Sequence, residues 1–350
     1  MDKTIEMNEK TVIAIDAMGG DNAPGEIVKG AAEATVESPV NVILVGDENR
    51  IKAILEKVEY RPEQLEIVHT DDMITMEDVP HEAIRRKPEA SMILAAKLCS
   101  AGRAQGLVSA GNTGAYVLSA SLNIPRIAGI RKTAIATVYP TRNAQKRKDH
   151  FSLLLDIGAN IHCSAEDMVK FALMGKIYAS DIKGIKDPTV ALLNVGKESY
   201  KGGKILSRVY KILDELPGVN FIGNIEGNDV MRGLSDVVIT EGYVGNIVTK
   251  TMEGIAETVS QLGRYAFKRR FLWRIGLIAL SSGIRQLKEL IDYSEYGGAP
   301  LLGFKEIVIK AHGRSKAKAI TNAVKLAAKS HRDNICGRIE KEIAEFESLK

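Results

Sequence analysis

Short apolar runs rich in β-branched residues alternate with longer stretches of helical periodicity along nearly the whole chain, and this rhythm predicts its elements. Strands are predicted over 12–16, 41–45, 65–69, 106–109, 134–138, 152–156, 189–194, 219–222, 236–240 and 306–310. Helical segments are predicted over 25–36, 91–101, 165–179, 204–215 and 316–328. The run Leu153-Leu154-Leu155 is wholly apolar and 190–195 nearly so, as expected of strands covered on both faces by helices. Strand, loop, helix and strand in repetition predict an α/β protein with a doubly wound, mostly parallel sheet. No Pro- or Ser-rich linker interrupts it, so residues 11–330 are expected to form a single two-lobed α/β unit. A C-terminal helix is expected over 331–350, and residues 1–10 read as a short disordered leader. One stretch breaks the rhythm. Residues 246–292 contain no proline and keep helical spacing except around Ser281-Ser282-Gly283, which predicts a protruding pair of long helices in the C-terminal third.

Composition narrows the class. With 350 residues, 45% of them apolar and 26% charged, the chain has ample material for a buried core and does not read as disordered. It has no apolar run of about 18 residues that would span a bilayer. Three widely spaced cysteines, Cys99, Cys163 and Cys336, do not make a disulfide framework and point to a reducing, cytoplasmic setting. The net charge of +4 is too small to imply nucleic acid. It is unevenly placed, however: residues 258–288 lack Asp and Glu but hold Arg264, Lys268, Arg269, Arg270, Arg274, Arg285 and Lys288. Within this basic stretch lie Phe271, Leu272 and the sole tryptophan, Trp273. Three uses remain open for the segment: docking an acidic partner protein, lying on anionic lipid, or burying its apolar side in a dimer.

Candidate chemistry sits in the loops that follow the strands, because open α/β sheets bind ligands outside the carboxyl ends of their strands. Gly, Asn, Ser and Thr cluster there repeatedly. Glycine permits close ligand approach, and exposed N–H groups at helix starts form anion sites. On this basis Asp16, Gly19, Gly20, Asp21, Ser109, Gly111, Thr113 and Gly114 are candidate phosphate or substrate contacts. So are Asp156, Asn160, Asn194, Asn224, Glu226, Asp229, Gly242 and Gly245. The chain contains no G-x-S-x-G, Walker, H-E-x-x-H or C-x-x-C motif and no G-x-G-x-x-G after its first strand. No metal site or cofactor is expected. Of the six histidines, His312 alone lies in a Gly-flanked loop after a strand.

Several of these loops resemble one known family. The strings IAIDAMGGDNAP at 13–24, VSAGNTGA at 108–115 and LLDIGAN at 154–160 are similar to the loops of PlsX, the phosphate acyltransferases of bacterial phospholipid synthesis. NFIGNIEGND at 220–229, EGYVGN at 241–246, GGAPLLG at 297–303 and IKAHGRS at 309–315 are similar as well. The resemblance runs in order from about Thr11 to Ala328. Departures are Arg131-Lys132-Thr133, Glu241-Gly242 and Lys201-Gly202-Gly203, where the family usually has Arg-Pro, Asp-Gly and Lys-Gly-Asn. The resemblance implies acyl transfer from acyl-[acyl carrier protein] to inorganic phosphate, giving acyl phosphate and free carrier protein. It also implies an isopropylmalate dehydrogenase-like fold, a homodimer, and handover of the product to a membrane glycerol-3-phosphate acyltransferase.

Phosphate is already a nucleophile near neutral pH, so such an enzyme must chiefly hold it against the thioester carbonyl, stabilise the oxyanion and help the thiolate leave. Asn112 and Asn246 are expected as hydrogen-bond donors. His312 and Lys201 are expected to protonate the leaving thiol. Asp16 and Asp156, at strand ends, are also placed to orient loops, and Glu226 and Asp229 to restrain a basic partner. Rival readings are a phosphotransacetylase acting on acyl-coenzyme A, a dehydrogenase, and a non-catalytic scaffold that binds acyl carrier protein. Lys268, Arg269, Arg270, Phe271, Leu272, Trp273 and Arg274 are the expected membrane or carrier-protein contacts.

Overall fold

Several strands at inner positions of the strand order are buried along their whole length. Four consecutive residues are buried in Gly106–Ser109 and in Ile307–Lys310, and five in Phe151–Leu155. The computed structural model describes residues 11–142, 151–269, 271–283 and 297–349. In chain order the elements begin with β1 (Val12–Asp16), α1 (Gly25–Glu37), β2 (Asn41–Gly46), α2 (Glu48–Leu55) and β3 (Leu65–His69). They continue with α3 (Pro80–Arg86), α4 (Ser91–Ser100), β4 (Gly106–Ser109), α5 (Thr113–Asn123), β5 (Ala134–Pro140) and β6 (Phe151–Leu155). Then come α6 (Ala165–Asp181), β7 (Thr189–Leu193), α7 (Gly203–Glu215), β8 (Asn220–Ile225), α8 (Gly227–Arg232) and β9 (Val237–Ile239). The series ends with α9 (Gly242–Arg269), α10 (Phe271–Ala279), β10 (Ala299–Leu302), β11 (Ile307–Lys310), α11 (Ala317–Arg332) and α12 (Ile335–Ser348).

The chain divides into two units. One takes the chain up to Thr133 and again from Ser294 on; the other is Ala134–Tyr293. In the first unit the strand order is β3-β2-β1-β4-β11-β10. All neighbours are parallel except β10, which runs antiparallel to β11. In the second the order is β5-β6-β9-β7-β8, with only β5 antiparallel. Each unit is therefore a mostly parallel α/β layer, as the strand and helix rhythm predicts. The periodicity did not single out β10, α2, α3, α5 or α8. These are short, or rich in small residues, and carry little periodic signal.

Two local features fix the first unit's frame. The fully buried Tyr116 hydroxyl on α5 donates to the carbonyl oxygens of Leu107 and Ile309, tying β4 to β11. On α12, Ile335, Ile339, Ile343 and Phe346 recur every three or four residues and are all buried.

The long helical segment differs from these. In α9 only Gly242, Gly245, Thr249 and Met252 are buried. Beyond them Ile255, Val259, Leu262 and Tyr265 stand exposed at three- and four-residue spacing, followed by Leu272, Trp273, Ile275 and Ile278 on α10. The turn after α10 comes at Leu280, just before the expected break at Ser281-Ser282-Gly283. The 1–10 leader, Arg270, Arg285 and Lys288 lie outside the described residues. Among those described, no helix is long and apolar enough to cross a membrane.

Candidate active site

At the carboxyl rim of the first unit's sheet, three loops follow the adjacent strands β1, β4 and β11, and a buried carboxylate joins two of them. Asp16, only 1% exposed, accepts hydrogen bonds from the Ser91 and Ser109 hydroxyls, each at 2.6 Å, and from the Met18 N–H at 3.3 Å. Burial pushes its carboxyl up, against the pull of the Ser109, Ser91 and Met18 hydrogen bonds and the Lys310 charge. Asp16 thus sets the loops instead of facing solvent. Ser91, on α4, is a partner that the loop pattern could not have revealed, since it is 75 residues away in sequence.

The β1 and β4 loops pack backbone against backbone. A Cβ on Gly19 would overlap the Asp16 carboxylate and lie within 3 Å of the Gly111 backbone. The β11 loop is laced to them: the Asp21 N–H donates to the Gly313 carbonyl at 2.9 Å. The Asn22 amide reaches the carbonyls of Arg314 and Ser315, both at 3.2 Å. The exposed His312 accepts the Arg314 N–H on Nδ1 at 3.1 Å.

The expected donors differ in what they already bind. The Gly111 N–H is taken by Ser109 Oγ at 2.9 Å. The Asn112 side chain is fully engaged. Its Nδ2 donates to the carbonyls of Met76 and Asp78, at 3.1 and 3.2 Å, and its Oδ1 caps α5 through the Ala115 N–H at 3.2 Å. By contrast, the backbone N–H groups of Gly19, Gly20, Asn112, Thr113 and Gly114 make no hydrogen bond among the described residues. Buried backbone N–H groups in native folds are almost always paired. Of these five residues Gly19 is buried, whereas the N–H groups of Thr113 and Gly114 are among those that every helix start leaves open. Five unpaired ones lie on two touching loops, two of them in the first turn of α5, the kind of donor set to which anions bind.

The second unit repeats the design. Asp156, fully buried, follows β6. Its Oδ1 accepts the N–H groups of Ile135, Gly158 and Ala159 at 3.0–3.1 Å. Its Oδ2 accepts the backbone and side-chain N–H groups of Asn160 at 2.9 and 2.8 Å. Burial again raises the carboxyl's pKa against these bonds. Asp156 and Asn160 therefore build the loop they sit in. Gly245 packs directly against the Asp156 carbonyl, and Asn246 Nδ2 donates to the Ile157 carbonyl at 3.3 Å. The N–H groups of Gly242, Tyr243 and Val244, opening α9, have no partner among the described residues.

Around β7 and β8, Asn194 donates to the Lys201 carbonyl at 3.1 Å, and Asn224 donates to the Glu198 carbonyl at 2.8 Å. Asn224 Oδ1 is buried without a partner. The Lys201 ammonium lies 5.8 Å from the centre of the Tyr200 ring. Glu226 starts α8, its N–H donating to Asp229 at 3.4 Å. Asp229 is fully buried and holds two bases, Lys197 at 3.3 Å and Arg232 at 3.0 Å. Burial opposes its charge, yet the Glu226 N–H and these two cations hold its carboxyl below the usual range. No group of His, Cys, Asp and Glu able to hold a metal ion occurs among the described residues.

Known proteins are similar to this chain in sequence and in fold. The family model described as "Fatty acid synthesis protein" matches residues 11–338. A phosphate acyltransferase of Dictyoglomus turgidum is 47% identical over 91% of this chain and 93% of its own. Another, from Desulfitobacterium hafniense, is 43% identical over 95% and 98%. Among solved structures, a phosphotransacetylase from Streptococcus pyogenes covers 93% of this chain and 95% of its own at 16% identity, with a TM-score of 0.63. A branched-chain phosphotransacylase from Enterococcus faecalis covers 91% and 98% at 16% identity, with a TM-score of 0.54. These two show the shared fold. The matching family model, the two relatives and the order of the loops agree: the chain belongs to the PlsX family of phosphate acyltransferases.

Proposed function

We propose that this chain transfers a long-chain fatty acyl group from acyl-[acyl carrier protein] to inorganic phosphate for phospholipid synthesis. The observation that carries this reading is the cluster of unpaired N–H groups at Gly19, Gly20, Asn112, Thr113 and Gly114. Such a cluster binds a dianion through fixed dipoles without needing a cofactor. A phosphate oxygen held there attacks the thioester carbonyl carbon. The new C–O bond forms, the C–S bond breaks, and the departing thiolate takes a proton from His312 or Lys201. A thiol with a pKa of roughly 8.5 needs that proton only modestly. Positioning and oxyanion stabilisation therefore carry most of the rate, and loss of one donor costs about 10²–10³-fold.

Within the second unit, the unpaired N–H groups opening α9 and the unpartnered Asn224 oxygen are further candidate polar contacts. Lys197 and Arg232, both more than half exposed beside Asp229, suit an acidic carrier protein. The exposed stripe of Ile255, Val259 and Leu262 supports a homodimer. Exposed Leu272 and Trp273, beside Lys268 and Arg269, support contact with an anionic membrane, where the product would pass to a membrane acyltransferase.

The decisive experiment supplies phosphate with palmitoyl carrier protein, palmitoyl-coenzyme A or acetyl-coenzyme A and measures acyl phosphate. Preference for the carrier-protein donor is expected. Equal or better use of acetyl-coenzyme A would replace this reading with a phosphotransacetylase, and no product from any donor would leave a scaffold.

A further inference from the structure

The segment between β3 and α3 is fastened to the donor loops of the first unit. The Asn112 amide donates to the carbonyls of Met76 and Asp78 at 3.1 and 3.2 Å. Pro80 follows so closely that a Cβ on Gly114 would come within 2.7 Å of its ring. Met76 also reaches the loop after β11, its terminal methyl 3.1 Å from where a Cβ on Gly313 would stand.

Internal bonds hold this segment in one shape. Asp78 Oδ2 accepts the Thr75 N–H at 2.7 Å, the Thr75 hydroxyl at 3.2 Å and the Lys87 ammonium at 2.6 Å. The Ser91 N–H donates to the Asp72 carbonyl at 2.9 Å, and Ile74, 2% exposed, anchors the middle. Its other apolar side chains are left outside. Met73, Met76 and Val79 recur at every third residue and are 38, 38 and 50% exposed. One such side chain is ordinary on a protein surface. Three on a short stretch of held backbone, beside unpaired N–H groups, mark a place where something apolar binds. Leu118, one turn beyond Gly114 on the same face of α5, is also partly exposed.

We propose that Met73, Met76 and Val79, continued by Leu118, hold the fatty acyl chain while its reacting carbonyl stands at the donors of Gly19, Gly20 and residues 112–114. This placement rests on the acyl-transfer reading given above. The acyl chain is the occupant because the segment is joined to the donor loops through Asn112 and Gly114, whose own N–H groups are unpaired. A chain leaving a carbonyl held there meets this segment beside it. Asn112 thereby sets the chain's path and the anion's donors with one side chain. Methionine is unbranched and adaptable, which suits chains of differing length and bend. An open surface has no end wall, so it rewards added methylenes without a sharp upper limit.

The test titrates the full chain, labelled at backbone amides and methionine methyls, with methylphosphonate and with decylphosphonate below its micelle-forming concentration. Both carry the phosphonate head and one carries a chain. The amides of Gly19, Gly20 and Gly114 should shift with both ligands, and the methyls of Met73 and Met76 with decylphosphonate alone. Shifted amides with unmoved methionines overturn the chain site and spare the anion reading. Shifted methionines with unmoved amides, or no shift at all, overturn both. In the second arm, Met76→Gln with Val79→Thr replaces two exposed side chains by polar ones of similar shape. Its kcat/KM for palmitoyl carrier protein relative to butyryl carrier protein should fall about tenfold, with melting temperature and oligomeric state unchanged. An unchanged ratio, an equal loss with both donors, or a changed oligomeric state overturns the proposal.

Discussion

Asp156 Oδ2 accepts both N–H groups of Asn160, the backbone at 2.9 Å and the side chain at 2.8 Å, so one buried oxygen determines where the loop after β6 runs. Oδ1 collects three more N–H groups. Removing a fully buried acceptor takes a partner from all five donors. Hydrogen bonds to a charged group are worth about 1.5–3 kcal/mol each, though not additively. Asp156→Ala is expected to lower the free energy of unfolding by about 3 kcal/mol or more, and Asn160→Ala by about half of that. Urea denaturation checks both values, and equal small losses would contradict this role for Asp156.

Gly245 touches the Asp156 carbonyl, whereas Gly254, twelve positions past the start of the same helix, has open space around it. A methyl group at Gly245 has to displace backbone, and overpacking of this kind costs about 1–3 kcal/mol or more. At Gly254 it meets nothing and restricts the unfolded chain, which stabilises a helix by about 0.5–1 kcal/mol. Thermal melts of Gly245→Ala and Gly254→Ala should therefore shift in opposite directions.

Asn112, Lys201, Asn246 and His312 should differ in how they fail. Asn112→Ala removes the cap of α5 and the ties to Met76 and Asp78, so a loss of about 1 kcal/mol or more should accompany lower turnover. Lys201→Met and His312→Gln alter half-exposed or exposed side chains. Whichever supplies the proton should lose rate by no more than the roughly 10²-fold low end of general acid catalysis, with its melting temperature unchanged. Asn246→Ala should lower turnover with only a small change in stability, because it loses one long bond to Ile157. Phosphate-dependent release of free carrier protein, measured beside circular dichroism melts, distinguishes these outcomes. Parental rates in all four variants would remove the assignment.

Glu306 makes stability depend on pH in a defined direction. Its folded pKa, about 7, lies above the ordinary 4.5. The folded state therefore holds the proton more tightly, and this contribution is complete below pH 4.5 and lost as pH rises to about 7. Glu306→Gln cannot lose it. Relative to the parent chain, its melting temperature should gain steadily between pH 4.5 and 7 and level off above that. A gain that grows toward acid pH would reverse the sign.

Trp273 is the only tryptophan and is 44% exposed, close to Lys268 and Arg269. If the segment lies on lipid, its fluorescence should shift to the blue with vesicles containing anionic phospholipid and hardly change with neutral ones. Each nearby cation adds about 1 kcal/mol near such a surface. Lys268→Gln with Arg269→Gln should reduce vesicle affinity by about tenfold or more, read by co-sedimentation.

Much of this protein is written locally. Apolar runs such as Leu153-Leu154-Leu155 and helical spacing such as that of α12 declare their elements, because burial demands periodicity from neighbouring residues. The loop strings declare the family, since only small and amide-bearing residues let backbones approach so closely. What the sequence could not express was the partition of those loops into framework and free donors. Whether Gly111 or Gly114 keeps its N–H for a ligand depends on Ser109 Oγ in one case and on nothing in the other. Ser91 reaches Asp16 across 75 residues, and Ser330 and Glu306 border one cavity from separate elements. Such pairings are decided by packing in three dimensions, where a hydrogen bond satisfied or left open leaves no periodic trace in the order of residues.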